Sequence, residues 1–346
     1  MPRNDDFHPE RFRFRGFHPD ISIGTASDRY AGWIGQIYSA DRYSDRIHCR
    51  QHKVGGRSFE EKVLPIESVQ EYFEHFGVLE LDFTFYRPLL DRDARPTQNY
   101  HVLRNYRQYL GEDDPLFLKV PQIIFARKLR GKGEFLPNPD YLNAEVFTRQ
   151  FYEPAVELLG RSIRGFIFEQ EYQRRTDRFR PEAVAEDVDR FFDAIPGDDR
   201  YHLELRTESL LAPPLFEVMK RHGVGQVLSH WTWLPSLQRQ FGLSGRTFLN
   251  AGGYGILRLL TPRGMRYEDA YAKAHPFDRL VEGMVSPRMI EDTVDLMGEA
   301  IEQKARVNVI VNNRAGGNAP LIAGQIVTRF AAREGADRPG ASLPRR

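Results

Sequence analysis

The chain has 346 residues, of which 41% are hydrophobic, and this is enough apolar material for one large core. The formal net charge is +1 at pH 7, so the overall charge does not indicate attraction to nucleic acid or to a membrane surface. The single cysteine, Cys49, excludes an internal disulfide and is typical of a reducing compartment. No apolar run approaches the roughly 18 residues of a membrane span. We therefore expect a cytoplasmic protein.

Apolar periodicity and turn residues divide the chain into alternating strands and helices. Residues 1–20 are rich in Arg and Phe, and we expect an arm across the domain surface, with a nucleic-acid-binding tail as the alternative. Residues 26–64 are expected to form an elaborated loop, and 335–346 a disordered tail. Strands are predicted at 21–25, 79–87, 116–120, 165–170, 202–206, 226–230, 256–260 and 307–312. Helices are predicted at 66–76, 97–111, 143–159, 181–195, 213–222, 286–304 and 319–332, with a short one ending at Phe241.

The strand predicted at 79–87 has two unlike faces. Its apolar and polar residues alternate: Leu79, Leu81, Phe83 and Phe85 against Glu80, Asp82, Thr84 and Tyr86. An open parallel sheet covered by helices requires strands that are apolar on both faces, whereas a closed barrel can turn polar side chains into its centre. Eight strands in this alternation therefore predict a single (β/α)8 TIM-type barrel over residues 21–334. We expect Leu81, Phe83 and Phe85 to face the helices.

The same alternation turns charged side chains into the barrel: Glu80, Asp82, Lys119, Glu204, Arg206 and Arg258. Buried charges must be paired, so one interpretation is a neutral network without chemistry. Barrel cores are usually filled with branched apolar residues, so a ligand site is the interpretation that we favour. In that case Asp82 or Glu204 acts as acid or base, and Lys119 and Arg206 stabilise charge. Thr84 and Tyr86, near the barrel mouth, are candidates for contacting a substrate.

The connection from the last strand to the last helix is a candidate anion site. Asn312, Asn313, Gly316, Gly317 and Asn318 lie there, and Arg258 ends the neighbouring strand. Two glycines and a helix N-terminus can present N–H groups to a phosphate, which barrels often hold at this place. The alternative is a tight glycine turn in which Asn318 caps the helix.

Metal and cofactor signals are weaker. A divalent ion on Asp82, Glu204 and His230 competes with simple ion pairing of the two carboxylates. The cluster His48, Cys49 and His52 lacks a second pair of ligands and is better explained as a coincidence in a loop. No P-loop, dinucleotide fingerprint or nucleophile elbow is present, so we predict neither a cofactor nor a metal.

The chain resembles the YecE-like TIM-barrel family, a domain of unknown function, over about residues 21–330. Residues 80–86 are similar to that family's Val-Glu-Ile-Asn-Ser-Thr-Phe-Tyr signature, and 23–25 to its opening Ile-Gly-Thr. Later motifs follow in the same order: Lys119-Val120-Pro121, Phe168, Glu204-Leu205-Arg206, Arg258 and Asn312-Asn313. The resemblance implies a TIM barrel and no particular reaction. Residues that depart from the family pattern stand at the rim: Ser27-Asp28, Ala126, Thr207, His230 and Leu260.

Two functional hypotheses follow from these observations. The first is an enzyme, a hydrolase or an isomerase with a carboxylate acid or base, that handles a phosphorylated or otherwise anionic small molecule at the barrel mouth. The second is a non-catalytic barrel that binds nucleic acid or a protein partner, which the Arg-rich arm and the missing rim histidines of the family favour. We expect no membrane partner, and the sequence does not indicate an oligomeric state.

Overall fold

Eight parallel strands form a closed barrel in the computed structural model, which describes residues 12–130 and 134–336. The strands follow one another around the barrel in chain order, and the last pairs with the first. The predicted TIM-type barrel is therefore confirmed. The strands are β1 Ile21–Ala26, β2 Val78–Leu81, β3 Leu116–Lys119, β4 Ile163–Gln170, β5 Tyr201–Leu205, β6 Gly225–His230, β7 Tyr254–Leu259 and β8 Arg306–Val311.

Helices connect the strands on the outside of the barrel. Pro181, Pro213 and Pro287 stand in the first turns of three of them, where the missing N–H has no partner to lose. The third connection contains a π-helical turn, Thr148–Tyr152, just before Pro154. The main helices are Val69–His75, Gln98–Tyr109, Ala144–Phe147 with Glu153–Leu159, Pro181–Ala194, Pro213–His222, Leu237–Leu243, Tyr267–Ala274, Pro287–Glu302 and Ala319–Ala336.

One layer of apolar residues fills the middle of the barrel. These side chains come from seven of the eight strands and form a cluster of their own, separate from the larger core between strands and helices. The layer consists of Ala26, Val78, Phe117, Ile167, Val227, Ile256 and Ile310. Because successive strand residues point to opposite faces, the next inward positions lie two residues further on, at the mouth of the barrel.

The predicted second strand is too long. β2 ends at Leu81, and Asp82–Tyr86 form a short 3-10 helix. The Thr84 hydroxyl donates to the carbonyl oxygen of Leu81 at 3.0 Å and to that of Lys119 at 2.7 Å, which holds this turn over the ends of β2 and β3. The alternation of 79–87 thus continues as a pattern after the strand itself has stopped.

The predicted facing of this segment is confirmed in part. Leu81 lies in the core under the helices, and Phe83 stacks on Tyr106 of helix Gln98–Tyr109. The prediction for Phe85 was wrong, because its ring contacts the Lys119 ammonium, which lies 3.9 Å from the ring centroid. The 3-10 turn rotates Phe85 away from the direction that a continued strand would give it.

The predicted elaborated loop at 26–64 contains a β-hairpin of His48–Val54 and Arg57–Val63. Gly55 and Gly56 form its two-residue turn, and both have positive φ, as the turns of tight hairpins require. The predicted long connection after β1 is therefore present, and the hairpin within it is regular structure that the sequence analysis did not predict. Its charged strands conceal the alternation, but the Gly-Gly pair is a hairpin signal.

The N-terminal arm packs against the barrel where it is described. Phe12 and Phe14 are buried, and Arg15 forms an ion pair with Asp114 at 2.9 Å. Residues 1–11, 131–133 and 337–346 lie outside the described residues, so the proposed division into arm, barrel and disordered tail stays a prediction.

Within the described parts of the chain, no helix is both long enough and apolar enough to cross a membrane.

Two glycine substitutions test the closeness of the barrel packing. A Cβ at Gly24 would lie 1.9 Å from the carbonyl oxygen of Val78, whereas a Cβ at Gly298, inside helix Pro287–Glu302, would meet nothing within 4 Å. We expect Gly24→Ala to lower the free energy of unfolding by at least about 2–3 kcal/mol. The matched Gly298→Ala should raise it by about 0.5–1 kcal/mol, because alanine is the better helix former. Urea unfolding measures both; equal stabilities would contradict the strand packing described here.

Candidate functional site

A layer of charged side chains lies above the apolar middle layer of the barrel. Glu80, Lys119, Glu169 and Arg258 each stand two residues after a member of that layer on the same strand, and Glu204 occupies the corresponding place on β5. The strand period therefore places all five at the barrel's C-terminal end, where TIM barrels carry their active sites. All five are buried.

Arg258 connects two glutamates across the barrel. Its Nε donates to Glu80 Oε2 at 2.7 Å, its Nη2 to Glu80 Oε1, and its Nη1 to Glu204 Oε2. Glu204 also accepts a hydrogen bond from the Ser229 hydroxyl at 2.5 Å. Arg258 is 1% exposed and both glutamates are fully buried, so this part of the network is out of reach of solvent.

Lys119 and Arg206 form the upper part of the network. Lys119 Nζ lies 2.5 Å from Glu169 Oε2, and Arg206 Nη1 lies 2.6 Å from Glu169 Oε1. Arg206 also reaches Glu204 Oε2 at 3.3 Å. The pairing of Glu204 with Arg206 is therefore present, and Arg206, two residues further along the chain than Glu204, lies closer to the mouth.

Glu169 is the member of the network that sequence reasoning missed. Its strand is apolar on both faces up to Phe168, so no polar alternation draws attention to it. The available signal is its spacing: Glu169 follows Ile167, which faces inward, by two residues.

Asp82 is the carboxylate of this network that reaches the mouth. Its side chain is 28% exposed, and Arg258 Nη2 lies 3.8 Å from its Oδ1. Burial raises the pKa of Asp82, but Lys119, a hydrogen bond with Glu80 and Arg258 outweigh that effect and leave the pKa below its ordinary value. Burial raises the pKa of Glu80 to about 8, against the attraction of Arg258. Two adjacent carboxyls thus differ in proton affinity, as acid and base pairs in active sites do.

Glu204 has the opposite balance from Glu80. Burial again raises the pKa of Glu204, but Arg206, Arg258 and Lys119 together outweigh it and lower the pKa to about 2. Glu204 is therefore ionised over the whole physiological range and has no proton to exchange. Its position suits an electrostatic support for the cations better than an acid or a base.

The connection after β8 satisfies its own backbone donors. The N–H groups of Gly316 and Gly317 donate to the carbonyl oxygen of Asn313, and the Asn313 Oδ1 accepts from the N–H of Ala319. Asn312 Oδ1 accepts from the N–H of Arg314, and Asn318 Oδ1 accepts from the N–H of Leu321. These donors are occupied within the loop, as in the glycine turn with an Asn318 cap that the sequence allowed.

Arg314, in the same connection, is a cation of the mouth that the sequence prediction left out. Its guanidinium lies over the Tyr267 ring, 4.5 Å from the centroid, and its Nε is buried without a hydrogen-bond partner. Within residues 12–130 and 134–336, no carboxylate oxygen lies within 4.0 Å of its side-chain nitrogens. Its positive charge nevertheless helps to lower the pKa of Asp82.

Tyrosine hydroxyls surround the same place. Burial and the charge of Asp82 raise the pKa of Tyr30 and of Tyr86, and the charge of Arg314 opposes them at both. At neutral pH both hydroxyls keep their protons and can donate. The hydroxyls of Tyr30, Tyr86 and Tyr267 have no hydrogen-bond partner in the described part of the chain. The predicted residue Tyr86 thus belongs to the mouth, with its ring 70% exposed.

The metal alternatives find no support in the geometry. Among the residues that the structure describes, the three groups close enough to share an ion are Asp189, Asp193 and His222, on two outer helices. Asp82, Glu204 and His230 do not form such a group, and neither do His48, Cys49 and His52, which lie on the charged hairpin. Burial lowers the pKa of His230 to about 4, so its ring is neutral.

A cavity of about 870 Å³ opens beside Asp82. Its walls come from the hairpin 48–63, the loop after β1 and helix Gln98–Tyr109, with Tyr30 and Asn99 among the polar groups. The volume lies within the usual range for small-molecule sites. A ligand in this cavity would have Asp82 within its wall, whereas Arg314 and the five residues of the charged layer do not line it.

Comparison with known proteins agrees with this architecture. The family model described as "Protein of unknown function DUF72" matches residues 22–345. Among curated proteins, no sequence matches the chain. A solved DUF72 family protein from Enterococcus faecalis is 17% identical with a TM-score of 0.54, over 90% of this chain and 95% of that one. Another, from Thermotoga maritima, is 14% identical with a TM-score of 0.51, over 91% and 99%. At these identities the likeness shows the fold alone.

Removing the charge of Glu204 tests whether the layer is a closed ion network. The Glu204→Gln substitution leaves Arg258 and Arg206 with one carboxylate fewer in a buried place. We expect it to lower the free energy of unfolding by about 3–5 kcal/mol, measured by urea unfolding at pH 7. Glu145→Gln is the control, because Glu145 is 72% exposed and pairs with Arg149 on the surface; its effect should stay below about 0.5 kcal/mol.

The pH dependence separates this effect from a packing defect. The folded pKa of Glu204 is about 2, below the unfolded value of about 4.3, so its stabilisation is complete above the unfolded pKa and is lost as pH falls through about 2. The difference between wild type and Glu204→Gln should therefore shrink below about pH 4. A pH-independent difference would point to packing, and wild-type stability of the variant at pH 7 would show a hydrated, open site.

Proposed function

Since the chain belongs to the DUF72 family, whose function is unknown, we propose its activity from the barrel mouth: it is an enzyme that acts on a small molecule carrying a phosphate or another anionic group. The observation that carries this proposal is the cluster of unpaired donors above the charged layer. Arg314 has no carboxylate partner in the described part of the chain and lies over the Tyr267 ring, and its charge acts on the hydroxyls of Tyr30 and Tyr86.

Arg314 is the anchor for the anion. Its guanidinium carries several N–H donors in a planar fork that matches phosphate and carboxylate oxygens. Stacking on the Tyr267 ring fixes the plane of this fork before a ligand arrives, so little side-chain entropy is lost on binding. The three phenolic hydroxyls add neutral donors around it. An anion that binds Arg314 does not have to displace an ion pair of the protein.

Asp82 is the acid or base of the proposed reaction. It is the most exposed carboxylate of the network, it lines the cavity, and its low pKa leaves it ready to accept a proton. Glu80 behind it holds a proton more strongly and can share it through their hydrogen bond. Lys119 and Arg206, at the top of the network, can stabilise negative charge that develops on the substrate.

The other proposed contacts take supporting roles. Arg258 and Glu204 hold the cations in place from below, and Thr84 fixes the turn that carries Asp82 and Tyr86. The connection that presents Arg314 is shaped by hydrogen bonds in which the side-chain oxygens of its asparagines accept from backbone N–H groups. Its members are Asn312, Asn313, Gly316, Gly317 and Asn318. In this form the anion site keeps its predicted place after β8, and Arg314 replaces Arg258 as the anchor.

The alternative of a binding surface on the N-terminal arm has less support. It required an exposed stripe of Arg and Phe across residues 11–17. Phe12 and Phe14 are buried, and Arg15 is engaged with Asp114 and with the carbonyl oxygen of Phe73.

Sulfate and phosphate test the anion site directly. If either binds the folded protein at Arg314, the melting temperature should rise in a saturable way, by about 2–3 °C at ten times the dissociation constant. Chloride at matched ionic strength is the reference, since it separates binding from general salt effects. Arg314→Gln should abolish the saturable rise while keeping a cooperative transition, because Arg314 has no ion pair to lose.

Arg149→Gln is the matched control. Arg149 is 74% exposed and forms a surface pair with Glu145, so removing it changes the net charge equally and should leave the anion response unchanged. The proposal fails if Arg314→Gln retains the saturable response, or if wild type responds to sulfate and chloride alike.

A further inference from the structure

A loop with four exposed arginines follows β4. Arg174, Arg175, Arg178 and Arg180 are all exposed. In the described part of the chain none of the four has a carboxylate within ion-pairing distance, and Asp177, the acid between them, lies 3.6 Å from Lys128 instead. Like charges this close repel one another. Four unpaired arginines in one loop are more than solubility requires.

Two exposed aromatic rings lie beside this loop. Tyr172 and Trp233 are 37% and 45% exposed, and their rings stack at 5.9 Å with an interplanar angle of 29°. Large aromatic residues left open in a stacked pair offer ring faces to a ligand. We call Tyr172 and Trp233 the aromatic shelf.

The shelf belongs to the rim of the barrel mouth. Tyr172 follows the end of β4 and Trp233 the end of β6. Trp231 contacts Tyr172 at 5.9 Å, and the Arg206 guanidinium lies 5.1 Å from the Trp231 ring. A continuous run of side chains therefore leads from the shelf to the charged layer.

The arginine loop is held in a defined place. The N–H of Gln173 donates to the Thr207 hydroxyl at 2.9 Å, and the Gln173 Oε1 accepts from the N–H of Phe179 at 3.2 Å. The Phe179 ring lies under the Arg127 guanidinium at 4.2 Å. These contacts fix both ends of the loop and leave its arginines pointing outward next to the shelf.

We propose that the aromatic shelf and the arginines of loop 174–180 form a binding surface for single-stranded nucleic acid. Unpaired bases stack on exposed aromatic side chains, and arginines neutralise the neighbouring phosphates. A duplex hides its base faces and cannot use the shelf. An acidic polysaccharide can pair with the arginines and pack the C–H faces of its sugars on the shelf, whereas unpaired bases stack their π faces on it. A heparin fragment therefore serves as the competitor in the test. The shelf and the loop do not include Arg314, and binding there does not depend on the proposed reaction.

The test uses a fluorescein-labelled oligothymidylate of about 15 nucleotides, followed by fluorescence anisotropy from about 50 to 200 mM salt. Wild type should bind it more tightly than a duplex of the same length or a heparin fragment. The double variant Tyr172→Ser with Trp233→Ser should weaken binding by at least about tenfold with the same salt dependence. Arg174→Gln with Arg175→Gln should reduce the salt slope by about 1.4, or about 0.7 for each phosphate that is no longer neutralised.

Arg149→Gln with Arg161→Gln is the charge-matched control, since both residues are exposed and lie on other connections; binding should match wild type. The proposal is overturned if the shelf variant binds as wild type does, if duplex or heparin binds as tightly as the single strand, or if wild type does not bind the single strand. The sulfate response of the shelf variant should equal that of wild type, which keeps this result separate from the anion site.

Discussion

Arg258 holds two fully buried glutamates together inside the barrel, and the arrangement of the mouth follows from this contact. A buried ion group costs several kcal/mol of desolvation, and apolar residues of similar volume are often equally stable in its place. Stability alone therefore does not explain a charged layer directly above a well-packed apolar one. The layer makes sense as a support for the groups above it, because it fixes Lys119 and Arg206 at the rim and keeps Glu204 ionised beneath them.

Two neighbouring carboxyls at this end of the barrel differ in their affinity for protons. Glu80 lies deep in the barrel and its pKa is raised to about 8, whereas Asp82, one step closer to solvent, is held below its ordinary pKa by the surrounding cations. This difference arises from depth along one short segment, since β2 ends at Leu81 and the following 3-10 turn brings Asp82 to the cavity. Arg314 and the tyrosines then add donors at the open side, and in the proposed function these donors bind the anion while Asp82 exchanges the proton.

The fold and much of the charged layer were predictable from local pattern. The alternation of apolar and polar residues within strands identified Glu80, Lys119, Glu204 and Arg258. Each lies on the face of its strand opposite to the apolar residues that pack under the helices. Glu169 was not predicted because its strand is apolar on both faces up to Phe168. The end of β2 was predicted too late because the alternation continues through the turn that Thr84 closes. Arg314, Tyr30, Tyr86 and Tyr267 come from different connections, and their meeting depends on how the closed barrel brings these connections together. No single stretch of sequence carries that information.

A crystal structure of the protein grown from sulfate or phosphate tests the proposed anion site most directly. We expect one anion in the barrel mouth, in contact with the Arg314 guanidinium and with at least two of the hydroxyls of Tyr30, Tyr86 and Tyr267. Arg258 should stay paired with Glu80 and Glu204. A mouth that binds no anion, with Arg314 instead closed against a carboxylate of the chain, would contradict it.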